Sequence, residues 1–242
     1  RQVRLYKAAL ASREQGQLLE QIEEAGIARS TLQILALLEK LRAICNHPTL
    51  AFGEPDGGDA RPQDSGKLAY LRELIEDLKE AGHRALLFSQ STRMLDIIQW
   101  CFKDWKVSSL RLDGKTPVAS RGELATRFND DETITCFLLS TKAAGVGLNL
   151  TGADTVVFYD HDWNPANDNQ AMDRAYRIGQ TGNVTVYRLI SRGTIEDKIL
   201  ERQQSKQALA DSVVGVDAEG FKDITKEELS RLFTYDDAED DR

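Results

Sequence analysis

The segment ITCFLLSTKAAGVGLNLTGADTVVFYD, residues Ile134–Asp160, decides the fold. It carries two short apolar runs, ITCFLLS (134–140) and TVVFYD (155–160), separated by small, hydroxyl-bearing and glycine residues. A strand with one wet face alternates apolar and polar residues, so an uninterrupted apolar run marks a strand covered on both sides. Working outward, RALLFS (84–89), VSSLRL (107–112) and VTVYRLI (184–190) have the same character. Amphipathic helical stretches lie between them. One starts at Ser65 and stops at Gly82, with Leu68, Leu71, Leu74, Ile75 and Leu78 on one face. TRMLDIIQWCF is the next, and a third opens at Thr116-Pro117, read as an N-cap and first-turn proline, and runs to about Asn129. A helix containing Gln170 and a brace helix from about Thr194 to Asp211 complete the series. Strands alternating with helices imply an α/β protein with a mostly parallel sheet and helices on both faces.

The flanks read differently. Residues 1–50 are helical, with Leu32, Leu35, Leu38 and Leu41 joined by Ile34 and Ile44 in a wide apolar face, Ser30 as an N-cap, and Asn46-His47-Pro48 as the stop. Residues 51–64 are rich in Gly, Pro and Asp and read as a loop, and 65–216 as the main lobe with its brace. The formal charge of −8 is concentrated at the end. Residues 217–242 carry ten acids and four bases, a net of −6, which leaves −2 for the first 216 residues. The last stretch, TYDDAEDDR, reads as a frayed acidic tail, while a nearly neutral body can still hold a basic groove. No apolar run approaches a membrane span and no secretory leader is evident, so an intracellular chain without membrane contact is expected. Cys45, Cys101 and Cys136 are odd in number, widely spaced and set among apolar neighbours. They read as buried hydrophobes rather than a disulfide or metal framework, and no metal site is expected.

In a doubly covered parallel sheet, ligands gather outside the carboxyl ends of the strands. The loops there are Ser89-Gln90-Ser91, Asp113-Gly114-Lys115-Thr116, Ser140 to Gly147, Asp160 to Pro165 and Ser191-Arg192-Gly193. Hydroxyls, small residues and backbone amides recur in them, as phosphate binding requires. Gly114-Lys115-Thr116 resembles the end of a Walker A loop, but the earlier glycine would fall at Ser109; Gly66-Lys67-Leu68 lacks the hydroxyl after the lysine. The chain therefore has no P-loop of its own. His161 lies between Asp160 and Asp162, but adjacent residues do not face one another at a strand end, so it is not read as a base. In QAMDRAYRIGQ (170–180), Gln170, Arg174 and Arg177 fall at i, i+4 and i+7, which puts two guanidiniums one turn apart as a fork for a polyanion.

Taken together, LLFSQ, LRLDG, LLSTKAAGVGLNLTGADTVVFYDHDWNP and QAMDRAYRIGQ, in this order and spacing, resemble the C-terminal RecA-like lobe of the Swi/Snf-type ATPases, the double-stranded-DNA translocases of helicase superfamily II. LRAICNHP, SGKL and GTIEDKIL resemble that family's flanking elements. Ala144 stands where a second glycine is usual, and Tyr176 where histidine is common. The resemblance implies that Arg174 and Arg177 reach the ATP γ-phosphate held by another lobe, with Gln170, Gly145, Gly147 and Asn149 shaping the nucleotide side. It implies phosphate-backbone contacts from Ser89, Gln90, Asp113, Gly114, Ser140, Thr141 and Lys142, and an aromatic at the DNA groove in Trp163. Its cofactor would be ATP with Mg²⁺ held by the missing first lobe. Its partners would be double-stranded DNA, the N-terminal RecA-like lobe, and histones or transcription and repair proteins. Location would follow, the nucleus in a eukaryote or the nucleoid in a prokaryote, and the isolated fragment is expected to lack ATPase activity. Two rival readings are a stand-alone Rossmann-type nucleotide-binding enzyme and a non-catalytic interaction module with an acidic tail.

Overall fold

The computed structural model describes residues 1–51, 61–144, 148–162, 168, 184–210 and 225–236. Five parallel strands, β1 (Ala85–Ser89), β2 (Ser109–Leu112), β3 (Cys136–Ser140), β4 (Thr155–Phe158) and β5 (Thr185–Arg188), form one sheet in the order β2-β3-β1-β4-β5. The strands with the most apolar sequences hold the centre: every residue of β1, β3 and β4 is buried, whereas β2 and β5 at the edges are largely half-exposed. Period-two alternation sends Ala85 and Leu87 to one face and Leu86 and Phe88 to the other. The first face is covered by α5 (Gly66–Glu80) and α6 (Thr92–Asp104), through Leu68, Leu71, Ile75, Ile98 and Phe102. The second is covered by α7 (Val118–Asp130), through Ala125 and Phe128, and by the buried Leu148, Leu150 and Ala153. This is the expected α/β, RecA-like parallel sheet with helices on both faces.

A third core lies beside the sheet. Helices α1 (Gln2–Leu10), α2 (Arg13–Ala25) and α3 (Ile27–Asn46), followed by the single turn α4 (Pro48–Ala51), build its first part. They pack with the start of the brace helix α9 (Ile195–Ala210) and with α10 (Lys226–Leu232); α8 (Thr141–Ala144) is a short turn after β3. Tyr6, Ile34, Leu38, Leu41, Ile195, Leu229 and Phe233 are buried together in this core. The acidic C-terminal segment is thus docked over Thr225–Asp236. Thr225 and Glu228 form a reciprocal capping box, and the Lys198 ammonium donates to the carbonyl and hydroxyl of Thr234.

Local signals held at several points and failed at others. Ser65 caps α5 by accepting from the Leu68 amide at 3.3 Å, and Gly82 follows that helix with φ +75°. Ser30 is no cap: α3 begins after Gly26, and Ser30 lies buried inside it. Leu32 and Leu35 are 80% and 42% exposed, because the packed stripe of α3 runs through Ile34, Leu38, Leu41 and Cys45 and leaves them on another side. Thr116 does not cap α7 either. Its hydroxyl accepts from the Asp113 amide, and Pro117 takes the N-cap position. The three cysteines are buried and free, and burial pushes each thiol pKa up, that of Cys101 to about 11.

Candidate nucleic-acid interface

The strand order makes the loops after β1 and β4 depart in opposite directions, which opens a crevice between these neighbouring carboxyl ends. Register sets what faces it. Phe88 pairs with Phe158 and Ser89 with Ser140, so Gln90 comes level with Asp160. Asp160 is buried and binds three donors: the Ser89 hydroxyl at 2.7 Å, the Gln90 amide at 2.7 Å and the Asn46 side-chain amide at 2.9 Å. Its carboxylate ties β1, β4 and the end of α3 into one corner.

Behind that corner sits a polar node. The Lys67 ammonium, 4% exposed, donates to Asn46 Oδ1 at 2.8 Å, to the Tyr159 carbonyl at 3.0 Å and to Glu196 Oε1 at 2.6 Å, which uses all three of its protons. Glu196 accepts the Ser191 amide on its other oxygen at 2.9 Å. The Asn46 carbonyl, at the end of α3, accepts from the Ser65 and Tyr159 hydroxyls, and burial holds the Tyr159 phenol well above its ordinary pKa. LRAICNHP, SGKL and GTIEDKIL, set apart in sequence as flanking elements, thus meet through Asn46, through Ser65 and Lys67, and through Glu196. Sequence reasoning did not single out these residues. A detectable signal was Lys67 itself, a cation in the first turn of α5, where the helix dipole disfavours it unless a carboxylate partner lies nearby.

In front of the corner lies a groove of about 650 Å³. Its walls carry Lys40 and Arg42 from α3, Arg93 at the start of α6 and Lys142 at the start of α8; among the described residues lining it, Glu39 on α3 is the one carboxylate besides Asp160. A chain with a net charge of −8 therefore collects four cations around this hollow. The side-chain nitrogen of Gln90 and the hydroxyl of Thr141 are both buried without a hydrogen-bond partner. Such donors are costly to leave unmet, and they sit on two residues expected to touch phosphate. Ser140 accepts from the Ala143 amide at 3.3 Å, which begins α8 and turns Lys142 out to solvent.

Other expected site residues are placed elsewhere or serve other partners. Asp113 pairs with Arg111 at 2.8 Å and accepts the Lys115 amide at 2.8 Å. Burial alone would raise its pKa; the Lys115 amide and Arg111 outweigh burial and hold it low. Gly114 lies in the same turn, with open space around it. Asn149 is exposed at the opposite, amino edge of the sheet, where its carbonyl accepts from Asn129 at the end of α7. Gly145, Gly147, Trp163, Gln170, Arg174 and Arg177 lie outside the described residues. His161 is buried with its ring toward Phe158, and its Nδ1 is 3.6 Å from the buried Asp168, a partner that sequence reasoning did not consider. Asp160 is turned to Asn46, Ser89 and Gln90 instead. His47 has both ring nitrogens engaged, by Thr49 and by the Arg61 carbonyl. No group of three or more His, Cys, Asp or Glu that could hold a metal occurs among the described residues.

Comparison with known proteins agrees with this architecture. The family described as the helicase conserved C-terminal domain matches residues 66–179. The chain is 44% identical over 220 residues to the human DNA excision repair protein ERCC-6, covering 86% of this chain and 15% of that protein. It is 50% identical over 177 residues to the chromatin-remodeling ATPase INO80 of Cryptococcus neoformans, covering 72% of this chain and 10% of that protein. The chain therefore spans only about a tenth to a seventh of the length of these curated relatives. Among solved structures, the Sulfolobus solfataricus SWI2/SNF2 ATPase C-terminal domain superposes with a TM-score of 0.73 at 28% identity, over 96% of this chain and 92% of that one. The core of that ATPase in complex with dsDNA gives a TM-score of 0.77 at 32% identity, over 97% of this chain and 48% of that one. The sheet order, the shared motifs and these likenesses agree: the chain belongs to the C-terminal RecA-like helicase lobes of the Swi/Snf family.

Proposed function

We propose that the chain is the second motor lobe of an ATP-dependent double-stranded-DNA translocase of the chromatin- or protein–DNA-remodelling type. The observation that carries the reading is the four-cation groove with the unmet Gln90 donor in its lining, and the unmet hydroxyl of Thr141 next in sequence to the lining Lys142. Phosphate oxygens are the acceptors such donors and cations suit, and the relatives' names, which speak of chromatin remodelling, excision repair and bound dsDNA, point the same way. Gln90, Thr141 and Lys142 are the proposed backbone contacts here, held by Ser89 and Ser140, whose buried hydroxyls serve Asp160 and the Ala143 amide, with Asp113 and Gly114 shaping a neighbouring turn; Trp163 is proposed as the groove aromatic. Backbone contacts carry little base information, so binding is expected to be sequence-tolerant and salt-sensitive.

ATP with Mg²⁺ would supply the phosphoryl transfer that drives motion, held mainly by the N-terminal lobe. This chain's share would be Arg174 and Arg177, which would stabilise charge on the transferred group, with Gln170, Gly145 and Gly147 on the nucleotide side; Asn149, at the amino edge of the sheet, is not proposed there. Such arginines are worth roughly 10³–10⁵ in rate in other phosphoryl-transfer systems. The division into an extension (1–50), a loop (51–64), a lobe with brace (65–216) and an acidic end (217–242) belongs to the same reading, as do a nuclear or nucleoid location and contacts with histones or repair and transcription proteins. The strand order weighs against the Rossmann alternative, since β3 rather than β2 lies next to β1 and the Gly145–Gly147 stretch follows β3. The test is ATP hydrolysis by the chain alone and joined to its N-terminal lobe, with and without duplex DNA. The reading expects activity only in the joined protein, stimulated by DNA and abolished by Arg174→Ala or Arg177→Ala. Equal activity in the isolated chain would contradict it.

A further inference from the structure

The first fifty residues read as a connector, yet α3 forms one wall of the groove. Its contributing face runs Ala36, Lys40, Ala43 and Asn46, one helical turn apart, with Arg42 beside it. Alanines at that spacing keep the wall low, so an elongated polyanion can approach the helix between its basic side chains. Arg42 does something more specific. Its Nη2 donates to Gln90 Oε1 at 3.0 Å and to the His161 carbonyl. An amide has one acceptor end and one donor end, so engaging Oε1 fixes which way Gln90 faces. The donor end is then the Nε2 that lacks a partner at the groove. Arg93, on the opposite side at the start of α6, donates to the Leu50 carbonyl at 3.4 Å and so leans toward the α3–α4 corner.

We infer that α3 is a phosphate-binding bank of the nucleic-acid groove: Lys40 and Arg42, with Arg93 across from them, face the DNA backbone, and Arg42 positions Gln90 to donate to it. The inference rests on the nucleic-acid reading above and adds the helical extension to the surface that grips DNA. Glu39 lies on the same rim as the cations, and Asp160 is bound by three donors.

The experiment measures binding of a short fluorescein-labelled duplex of mixed sequence to the full chain by anisotropy across a salt series. Lys142→Ala serves as the control for the underlying reading. Lys40→Gln with Arg93→Gln is expected to reduce the slope of log affinity against log salt by about 2, since each phosphate left without its cation takes about 0.9 from the slope. Arg42→Lys keeps the charge, so the slope should hold while affinity falls about tenfold, as one charge-assisted hydrogen bond would give. Gln90→Ala should cost about the same, and the double variant Arg42→Lys, Gln90→Ala no more than either alone, because one residue acts through the other. A merely structural arginine would lower the thermal midpoint and multiply with Gln90→Ala. An unchanged slope in the Lys40/Arg93 variant, or additive losses at Arg42 and Gln90, overturns the inference while Lys142→Ala still weakens binding. If the unsubstituted chain shows no salt-dependent binding, the nucleic-acid reading fails and takes the inference with it.

Discussion

Two polar regions meet at the carboxyl edge of the sheet and differ in how completely their hydrogen bonds are made. In the node behind Asp160, every proton of the Lys67 ammonium has an acceptor, and Asn46 and Glu196 are engaged at both ends. In the groove in front of it, where four cations gather, Gln90 keeps a buried amide nitrogen without a partner, and Thr141, preceding the lining Lys142, keeps a buried hydroxyl without one. Low dielectric makes a satisfied network rigid and an unsatisfied donor costly, so the two regions should answer mutation oppositely. The node should behave as structure and the groove as a binding surface awaiting acceptors.

The largest expected effect breaks the node. Lys67→Met leaves Glu196 charged and buried without its cation and should cost about 3–5 kcal/mol in denaturant unfolding. Adding Glu196→Gln should restore a large part of that loss, since removing both charges avoids the unpaired one. A loss below about 1 kcal/mol for Lys67→Met, within the range of a surface pair, would erase the contrast. Next comes Gln90→Glu, which keeps the shape and the Arg42 contact but replaces the unmet donor by a carboxylate oxygen. Stability should not fall, whereas duplex affinity should drop tenfold or more, about 1.4 kcal/mol or above. Thr141→Val removes the unmet hydroxyl at nearly constant volume. The melting midpoint should stay or rise slightly, and DNA affinity should fall severalfold; a clear loss of stability would mean the hydroxyl is already satisfied. The smallest effect concerns His47. Burial depresses its pKa below the ordinary value near 6.5, so the unfolded chain takes up the proton first on acidification. Its contribution is complete above that value and is lost as pH falls through it toward the folded pKa, so His47→Gln should flatten unfolding stability between neutral and mildly acid pH.

Why the fold was legible and parts of the site were not follows from how far each signal reaches along the chain. β1, β3 and β4 were readable because a strand buried on both faces must be apolar throughout, and Ser65 and Gly82 because caps act within a turn. The position of Gln90 and Thr141 at the carboxyl edge followed from the same pattern. The node was not legible: Lys67 and Glu196 lie 129 residues apart, and nothing local to either announces the other. Leu32 and Leu35 misled because a leucine-rich helix offers several apolar stripes, and only the packing of α1, α2 and α9 selects one. Thr116 lost its capping role to a competing acceptor bond within its own turn. The acidic end looked unstructured by charge, yet Leu229, Leu232 and Phe233 give it an apolar edge that the third core covers.

The contrast between a closed node and an open groove is tested most directly by one pair of readings on Gln90→Glu: thermal stability and duplex-DNA affinity in the same buffer. The account predicts an unchanged or raised midpoint with binding weakened at least about tenfold. A lowered midpoint with unchanged binding would contradict it.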